Sequence, residues 1–443
     1  MKLLNTLVSL GLLSTCALAQ EVTQQAETKK EATYVVTANR IKTDAKKIGK
    51  SFSIITAEDI KNSNANDLAD LLRRTPGLHV VQTGPNGSTS IFMRGMESYH
   101  TKVLIDGSHL ADTTSTQISS NDLLSFIDIK SIERIEIIRG GQSVLHGSDA
   151  VGGVINIITK KGGEENLAGS ISQEYGEEHY KKTALNLNGS IDDFSYRFSG
   201  FYEDERGISS QDTISDLDEL KNKGGNLKLA YDITDQIQAS LTGTYLDTDN
   251  LYDTGSAGFD DYFHYQAFTL RPEITITDIL EDLDLKMSVS HSDIRRTNIS
   301  MFAFDSQSET RQYEVGATYK GFDQHTLSAG IDLQNQRSIT NQGLPIEVDL
   351  YEAYVQDQIA VTENYNVTLG LRQSKHSLVG TETTYQSSNI YHFDDLGLRL
   401  HSSFGTAYRA PSPSELFGRF GPNSELTPEL AQSFDFGFDR VSE

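Results

Sequence analysis

Alternation between apolar and polar positions dominates the second half of the chain. From Asn166 onward, segments of roughly six to twelve residues alternate in hydropathy and are separated by polar turns. Short turns alternate with long polar loops between the predicted strands. This asymmetry is typical of an antiparallel transmembrane β-barrel and is not expected of a soluble sandwich. The best predicted strands are Leu167–Tyr175, Thr183–Asn188, Phe194–Tyr202, Asn226–Tyr231, Ile237–Tyr245, Leu283–Ser290, Tyr313–Tyr319, Thr326–Leu333, Tyr351–Ile359, Asn366–Leu371 and Leu398–Ala407.

Residues 51–161 have a different pattern, with short strand-like runs around one amphipathic helix. The helix is predicted over Asn66–Arg74, with Asn66 as its N-cap and leucines on one face. The Gly-rich run Gly147–Gly153 lacks the Lys-Ser/Thr ending of a phosphate loop, so it predicts tight turns. A compact α+β domain follows from this pattern, with strands at Ser51–Thr56, Leu78–Gln82, Ser90–Arg94, Lys102–Ile105, Ile132–Arg139 and Val154–Thr159.

The first 50 residues predict an export signal followed by a tether. Met1–Ala19 has a positive start, a short apolar core and an Ala-Leu-Ala end, which indicates a secretory signal peptide. Cys16 leaves a lipoprotein signal as the alternative, although Thr15 fits that cleavage site poorly. Residues 20–50 are polar apart from the β-prone run Thr33–Ala38. That run is either the first strand of the next domain or a peptide that adds to the sheet edge of a partner.

Composition narrows the functional classes. The 443 residues include 62 acidic and 38 basic side chains, a formal net charge of -24, which argues against binding nucleic acid. The single cysteine lies in the predicted signal, so the exported chain is expected to hold together without disulfides. No HExxH or GxSxG motif is present, and His100, His109 and His146 are scattered. An enzyme is therefore not expected, and no catalytic cofactor is implied.

Four stretches resemble the TonB-dependent outer-membrane receptors, and among them the cobalamin (vitamin B12) transporters. They are Thr33–Arg40 (TYVVTANR), Leu71–Gly77 together with Ser90–Gly107, Ile132–Thr159, and Gly405–Glu429. The resemblance implies an α+β plug domain over residues 51–161 inside a β-barrel over residues 166–443. It also implies a monomer in the outer membrane of a Gram-negative bacterium.

The resemblance favours the second interpretation of the β-prone run, as an energy-coupling peptide called the TonB box. Its partner would be TonB, driven by the ExbB/ExbD inner-membrane motor, which would pull on the plug. Charged plug residues would contact the barrel wall, although ordinary surface charge explains them equally well. The TonB box is Thr33, Tyr34, Val35, Val36, Thr37 and Ala38, and the charged plug residues are Arg94, Glu136 and Arg139.

Ligand contacts are implied at the plug apices and in one barrel loop. Glu97 stands where the cobalamin transporters have an amide, and Ser88 stands where they have an apolar residue, so two positions depart from the family pattern. A ferric siderophore or haem receptor of the same fold is the alternative, and a passive porin or adhesin is a third. The residues implied as substrate-binding are Ser88, Ser90, Glu97, Ser115, Thr116 and Thr254.

The acid-rich loops are candidates for calcium binding. Residues 203–261 hold 14 acidic and 4 basic side chains. The acidic side chains either lie on solvated loops or supply the hard oxygen ligands that suit Ca²⁺. Asp247–Asp249 starts like an EF-hand loop, but the required Gly and Glu are missing. The ligands implied by the resemblance are Asp212, Asp216, Asp218, Tyr252, Asp253 and Asp260, and the spacing of Asp212 is shorter than the family pattern.

The length is short for a plugged barrel. About 280 residues follow the plug, enough for about 14 strands at roughly 20 residues per strand and loop. Barrels of the plugged transporter class have about 22 strands. The sequence therefore predicts a C-terminally truncated barrel that lacks about eight strands. The resemblance implies that the full-length receptor imports cobalamin or a related corrinoid.

Overall fold

The computed structural model contains a large antiparallel sheet and a smaller α+β unit. No helix among the described residues is long and apolar enough to cross a bilayer. Only the backbone is described at residues 35–36, 252–253 and 260. The described residues are 35–36, 40–41, 43–65, 67–82, 89–109, 112–115, 127–177, 179–207, 218–253, 260–300, 303–340, 343, 345–418 and 421–440.

The N-terminal part forms the α+β unit, which we call the plug. A five-stranded sheet in the order β3-β8-β9-β6-β7 is its centre, and β6 and β9 are the parallel pair in it. Two further pairs, β1-β2 and β4-β5, lie outside this sheet. The elements are β1 (Val35–Val36), β2 (Thr43–Asp44), β3 (Phe52–Thr56), α1 (Ala57–Ser63), α2 (Leu68–Arg73), β4 (Leu78–Gln82), β5 (Thr89–Met93), β6 (Thr101–Ile105), β7 (Ser108–His109), β8 (Ile132–Arg139), α3 (Ser143–His146) and β9 (Gly153–Thr159).

The helix boundaries correct the sequence prediction in two places. The N-cap of α2 is Asp67, whose carboxylate accepts from the backbone N–H of Asp70 at 2.6 Å, whereas Asn66 lies outside the described residues. Helix α1 was not predicted, because Ile60 is its one buried residue and gives no apolar periodicity. A capping box between Thr56 and Asp59 begins that helix instead.

The hydrophobic core of the plug continues into the large sheet, which we call the wall. Leu68 and Leu72 of α2 are completely buried among isoleucines of β8 and β9. Leu246 and Tyr265 of the large sheet belong to the same hydrophobic cluster. Apolar burial therefore fixes the position of the plug against one part of the wall.

The C-terminal part is a sheet of 14 strands in sequential order, each antiparallel to the next, so the predicted strand number is confirmed. The strands are longer than the hydropathy pattern indicated. They are β10 (Ala168–Tyr175), β11 (Lys181–Ile191), β12 (Phe194–Arg206), β13 (Glu219–Asp232), β14 (Ile237–Asp253), β15 (Asp260–Leu280), β16 (Leu283–Ile299), β17 (Phe304–Phe322), β18 (His325–Thr340), β19 (Ile346–Thr362), β20 (Tyr365–His376), β21 (Gly380–Phe393), β22 (Leu398–Arg409) and β23 (Glu429–Arg440), with the short helix α4 (Pro413–Phe417) before β23.

The two faces of the large sheet differ in polarity. Along β17, Ser306, Ser308 and Thr310 are buried on the inner face, whereas Tyr313 and Val315 are exposed on the outer face. Short turns join the strands on one side of the sheet, which we call the turn side. The opposite, loop side carries the longer connections, including residues 410–428 between β22 and β23. An apolar outer face and a polar inner face are what a plugged membrane barrel requires.

Gly153 is a position where the plug sheet accepts no side chain. Its φ is +153°, and an added Cβ would overlap both the Ile138 carbonyl oxygen and the Met93 sulfur. We expect Gly153→Ala to lower the free energy of unfolding by about 1–3 kcal/mol more than Gly95→Ala. Gly95 also has a positive φ but has no atom within 4 Å of the added Cβ. Urea unfolding followed by circular dichroism measures both, and equal losses would contradict the steric explanation.

Candidate functional site

The described part of the predicted TonB box forms a strand that pairs within its own chain. Val35 pairs with Asp44 and Val36 with Thr43, which makes a short antiparallel ribbon. Of the predicted box, Thr33, Tyr34, Thr37 and Ala38 lie outside the described residues. The backbone of this peptide is thus already in the extended form that strand addition to a partner requires.

Arg40 connects this ribbon to the inner face of the wall. One guanidinium nitrogen lies 2.8 Å from Asp332 of β18, and another lies 3.1 Å from Glu314 of β17. The guanidinium carbon lies 5.2 Å from the ring centre of Tyr354 on β19. The segment directly after the TonB box is therefore held to three neighbouring wall strands.

The carboxylates that hold Arg40 belong to a larger buried ionic ladder. Asp332 also accepts from Arg372 at 2.6 Å, and Glu314 accepts from Arg271 at 2.7 Å. Arg372 and Asp332 are each only 1% exposed, and Arg372 also pairs with Glu352. Charges alternate along this ladder, which stabilises carboxylates that would otherwise be costly to bury. Its members are Arg271, Glu314, Arg40, Asp332, Arg372 and Glu352.

The three charged plug residues predicted from the resemblance have different contacts. Arg94 pairs with Asp435 of β23, so it contacts the wall. Glu136 is buried and accepts from the guanidinium of Arg134 at 2.8 Å. Arg139 donates to Ser53 at 2.9 Å and to the Pro76 carbonyl at 2.6 Å, which ties β8 to neighbouring parts of the plug.

The predicted ligand contacts are only partly described. Glu97 is exposed at the start of a short 3₁₀ helix over Ser98–His100, and Ser90 is half-buried on β5. The carbonyl of Ser115 accepts from the Ser412 hydroxyl at 3.3 Å, so this loop touches the wall. Ser88, Thr116 and Thr254 lie outside the described residues.

The predicted calcium ligands lie almost entirely beyond the described side chains. Asp218 is buried, and its carbonyl accepts from the backbone N–H of Gly207 at 2.7 Å. Tyr252, Asp253 and Asp260 are described by their backbone alone, at the ends of β14 and β15, where Asp253 pairs with Asp260. Asp212 and Asp216 are outside the described residues, so calcium binding stays a prediction.

A neighbouring acidic group was missed by the sequence reasoning because its histidine is distant in sequence. Asp247, Asp249 and His264 bring one ligand atom each within 4.8 Å of one another. His264 lies 2.8 Å from Asp249, and Lys223 lies 3.2 Å from Asp247. These ion pairs account for the arrangement without a metal ion, so the group is a polar cross-strand cluster.

A small polar cavity of about 20 Å³ lies between plug and wall. Burial, with Lys102 and His146 nearby, holds the pKa of His109 well below its ordinary value. Burial also lowers the pKa of Lys102 and raises that of Asp149. A polar cavity of this volume suits a buried water molecule rather than a substrate. Its lining is Lys102, His109, His146, Ser148, Asp149, Gln312, Gln334, Gln336, Leu350, Glu352, Arg372, His376, Ala410, Pro411 and Ser412.

Lys50 is a buried amine at the start of the plug. Its Nζ donates to the side-chain oxygens of Gln142 at 2.6 Å and Gln386 at 2.7 Å, which bridges plug and wall. Burial lowers the pKa of Lys50 to about 7. The ordinary lysine pKa is about 10.4, so between these values the unfolded chain binds a proton that the folded chain does not.

This shift predicts a pH-dependent stability. The wild-type free energy of unfolding should rise from about pH 7 towards about pH 10, because the cost of burying the Lys50 charge is full below about pH 7 and disappears as the amine deprotonates. In Lys50→Met this increase in the free energy of unfolding, a few kcal/mol in wild type, should be absent. Lys47 is exposed, so Lys47→Met should show the same increase as wild type. Urea unfolding across this pH range checks the expectation, and parallel slopes for wild type and Lys50→Met would contradict it.

Comparison with known proteins identifies the family. The model described as TonB-dependent Receptor Plug Domain matches residues 44–154, and the model described as TonB dependent receptor-like, beta-barrel matches residues 169–442. The chain belongs to the TonB-dependent receptor family. Members of this family are transport receptors of the Gram-negative outer membrane, which bind small molecules such as siderophores or vitamin B12 and interact with TonB.

Individual relatives of this TonB-dependent receptor differ in their ligands. The Vitamin B12 transporter BtuB of Photobacterium profundum is 26% identical over 97% of this chain and 70% of its own length. The siderophore receptor PirA of Acinetobacter baumannii has a TM-score of 0.76 at 22% identity, covering 91% of this chain and 70% of that one.

Two further solved structures share the fold. A mutant of the ferric enterobactin receptor PfeA of Pseudomonas aeruginosa has a TM-score of 0.77 at 19% identity, covering 93% of this chain and 71% of that one. The copper transporter OprC has a TM-score of 0.71 at 18% identity, covering 88% of this chain and 70% of that one. These similarities establish the receptor fold, and the ligand is a separate question.

Proposed function

We propose that this receptor imports cobalamin or a related corrinoid across the outer membrane, with energy supplied by TonB and the ExbB/ExbD motor. The observation that carries the energised mechanism is the link from β1 to the wall. Arg40, four positions after Val36, is bound to Asp332 and Glu314, so a pull on the box acts directly on contacts inside the receptor. A passive pore or an adhesin needs no such link.

The similarity to BtuB over nearly the whole chain favours a corrinoid as the ligand. A ferric siderophore is the second candidate, because PirA and PfeA are named as siderophore and ferric enterobactin receptors. Residues 203–261 carry 14 acidic and 4 basic side chains. That negative field disfavours an anionic ferric siderophore more than a corrinoid.

Calcium binding is proposed as part of the same function. The oxygen ligands would come from two neighbouring loops and are Asp212, Asp216, Asp218, Tyr252, Asp253 and Asp260. Such an ion would order these loops and reverse the sign of the local field. Removal of calcium with EGTA should therefore weaken ligand binding, and an unchanged affinity would exclude a role for the ion.

The ligand is tested by titrating the purified protein with cyanocobalamin, haem and ferric enterobactin. Of these three compounds, we expect only cyanocobalamin to show saturable binding in isothermal titration calorimetry with calcium present. Saturable binding of ferric enterobactin without cyanocobalamin binding would establish the second candidate instead.

A further inference from the structure

Two loop-side segments of the plug, one with Ser143 and Ser148 and one with Ser115, meet residues 408–412 at the end of β22. The backbone N–H of Tyr408 donates to the Ser143 hydroxyl at 3.2 Å, and that of Ala410 donates to the Ser148 hydroxyl at 3.0 Å. The hydroxyl of Ser412 donates to the carbonyl of Ser115 at 3.3 Å. This short piece of wall is therefore a shared attachment point for the plug apices.

Arg409 lies at the centre of this attachment and is only 2% exposed. Its guanidinium donates to Glu415 of α4 and to Glu429 of β23, each at 2.7 Å. The same group lies 4.3 Å from the ring centre of Tyr99 in the plug. One side chain thus joins the plug to helix α4 and to the start of β23.

The plug segment that Arg409 contacts is the one that carries Glu97. His100, in the same 3₁₀ helix as Tyr99, lies 2.7 Å from the second carboxylate oxygen of Glu429. Glu429 is consequently shared between wall and plug. Glu97 itself is exposed and its side chain does not cap the 3₁₀ helix. It therefore depends on Tyr99 and His100 for its position.

The chemistry of this contact requires an arginine. A planar guanidinium serves two carboxylates along its edges while its face lies against an aromatic ring. A lysine ammonium is a compact charge that cannot make all three contacts in one position. Arg409→Lys would keep the charge and lose the geometry, which separates positioning from electrostatics.

We propose that Arg409 is a positioning residue for ligand binding. It holds segment 96–100, helix α4 and the start of β23 in one fixed arrangement, so that an incoming ligand meets them without ordering them first. This inference rests on the proposed function, because it concerns the same ligand site. Preorganisation of this kind raises affinity by lowering the entropy that binding costs.

Ligand affinity tests the proposal with cyanocobalamin as the probe. We expect Arg409→Met and Arg409→Lys each to weaken binding by about tenfold or more, since two segments must then be ordered on binding. Arg134→Met is the matched control, because Arg134 pairs with Glu133 and Glu136 within the plug and does not contact residues 408–412 through those pairs. Wild-type affinity in Arg409→Lys would overturn the positioning role.

A ligand-free measurement keeps the two proposals distinguishable. A nitroxide at Glu97→Cys reports the mobility of segment 96–100 by its electron paramagnetic resonance line shape. We expect a sharper, more mobile spectrum in Arg409→Met and Arg409→Lys than in wild type, with no change in Arg134→Met. If wild type binds no cyanocobalamin but both Arg409 variants show the sharper spectrum, the corrinoid is ruled out and the positioning role stands. If the spectra of the Arg409 variants equal that of wild type, the positioning role is wrong.

Discussion

Replacing Arg372 with alanine is expected to lower the free energy of unfolding by about 3–5 kcal/mol. Arg372 binds Asp332 at 2.6 Å and also pairs with Glu352, in a region where it and Asp332 are 1% exposed. Removal of the guanidinium leaves two neighbouring carboxylates buried with too little positive charge. Such carboxylates repel each other and have lost their solvation, which is the costliest outcome in this ladder.

The control for Arg372 is an arginine whose pairing is exposed. Arg311 pairs with Glu309 on the outer face of β17, and its side chain is 56% exposed. Arg311→Ala is expected to change stability by less than about 1 kcal/mol. Urea unfolding of the purified receptor in detergent measures both variants. A loss of under about 1 kcal/mol in Arg372→Ala would show that the ladder does not stabilise the fold.

Unlike Arg372→Ala, Arg40→Ala is expected to cost little stability. It is expected instead to detach the predicted TonB box from the wall. Asp332 keeps Arg372 and Glu314 keeps Arg271 when Arg40 is removed, so no wall carboxylate is left alone. The ribbon of β1 and β2, however, loses both of its ion pairs to the wall. Charge-assisted contacts of about 1.5–3 kcal/mol correspond to a shift of about tenfold or more in the bound population.

A spin label at the box measures this release. The single cysteine of the sequence, Cys16, lies in the predicted signal, so Val36→Cys provides one labelling site in the exported chain. The mobile component of its spectrum should increase at least about tenfold on Arg40→Ala. Exposed Lys47→Ala should leave it unchanged. A box that stays immobile without Arg40 would place the anchor elsewhere.

Much of the fold followed from alternation because each strand has a polar inner face and an apolar outer face. β17 shows this, with Ser308 and Thr310 buried inside and Tyr313 exposed outside. The strand ends were predicted too short, because beyond the bilayer both faces become polar and the period vanishes. In β15 the structure extends over Asp260–Leu280, yet no part of it was predicted as a strand.

The site was less predictable because its contacts join positions that are distant in sequence. The motif predicts a TonB box, which stays a prediction, and nothing in it indicates the pairing of Arg40 with Asp332, which lie 292 positions apart. Arg409 lay inside a recognised motif without a predicted role, since Tyr99 and Glu429 come together only in the fold. Buried polar neighbours of this kind have no local signal for sequence reasoning to use.

Energised import is tested most directly by uptake of radiolabelled cyanocobalamin into cells that depend on this receptor, with and without Val36→Pro. Proline removes a backbone donor from β1 and prevents strand addition to TonB. We expect Val36→Pro cells to bind cyanocobalamin at their surface but to accumulate no more of it than cells treated with a protonophore. Accumulation at the wild-type rate in Val36→Pro cells would contradict energy coupling through this strand.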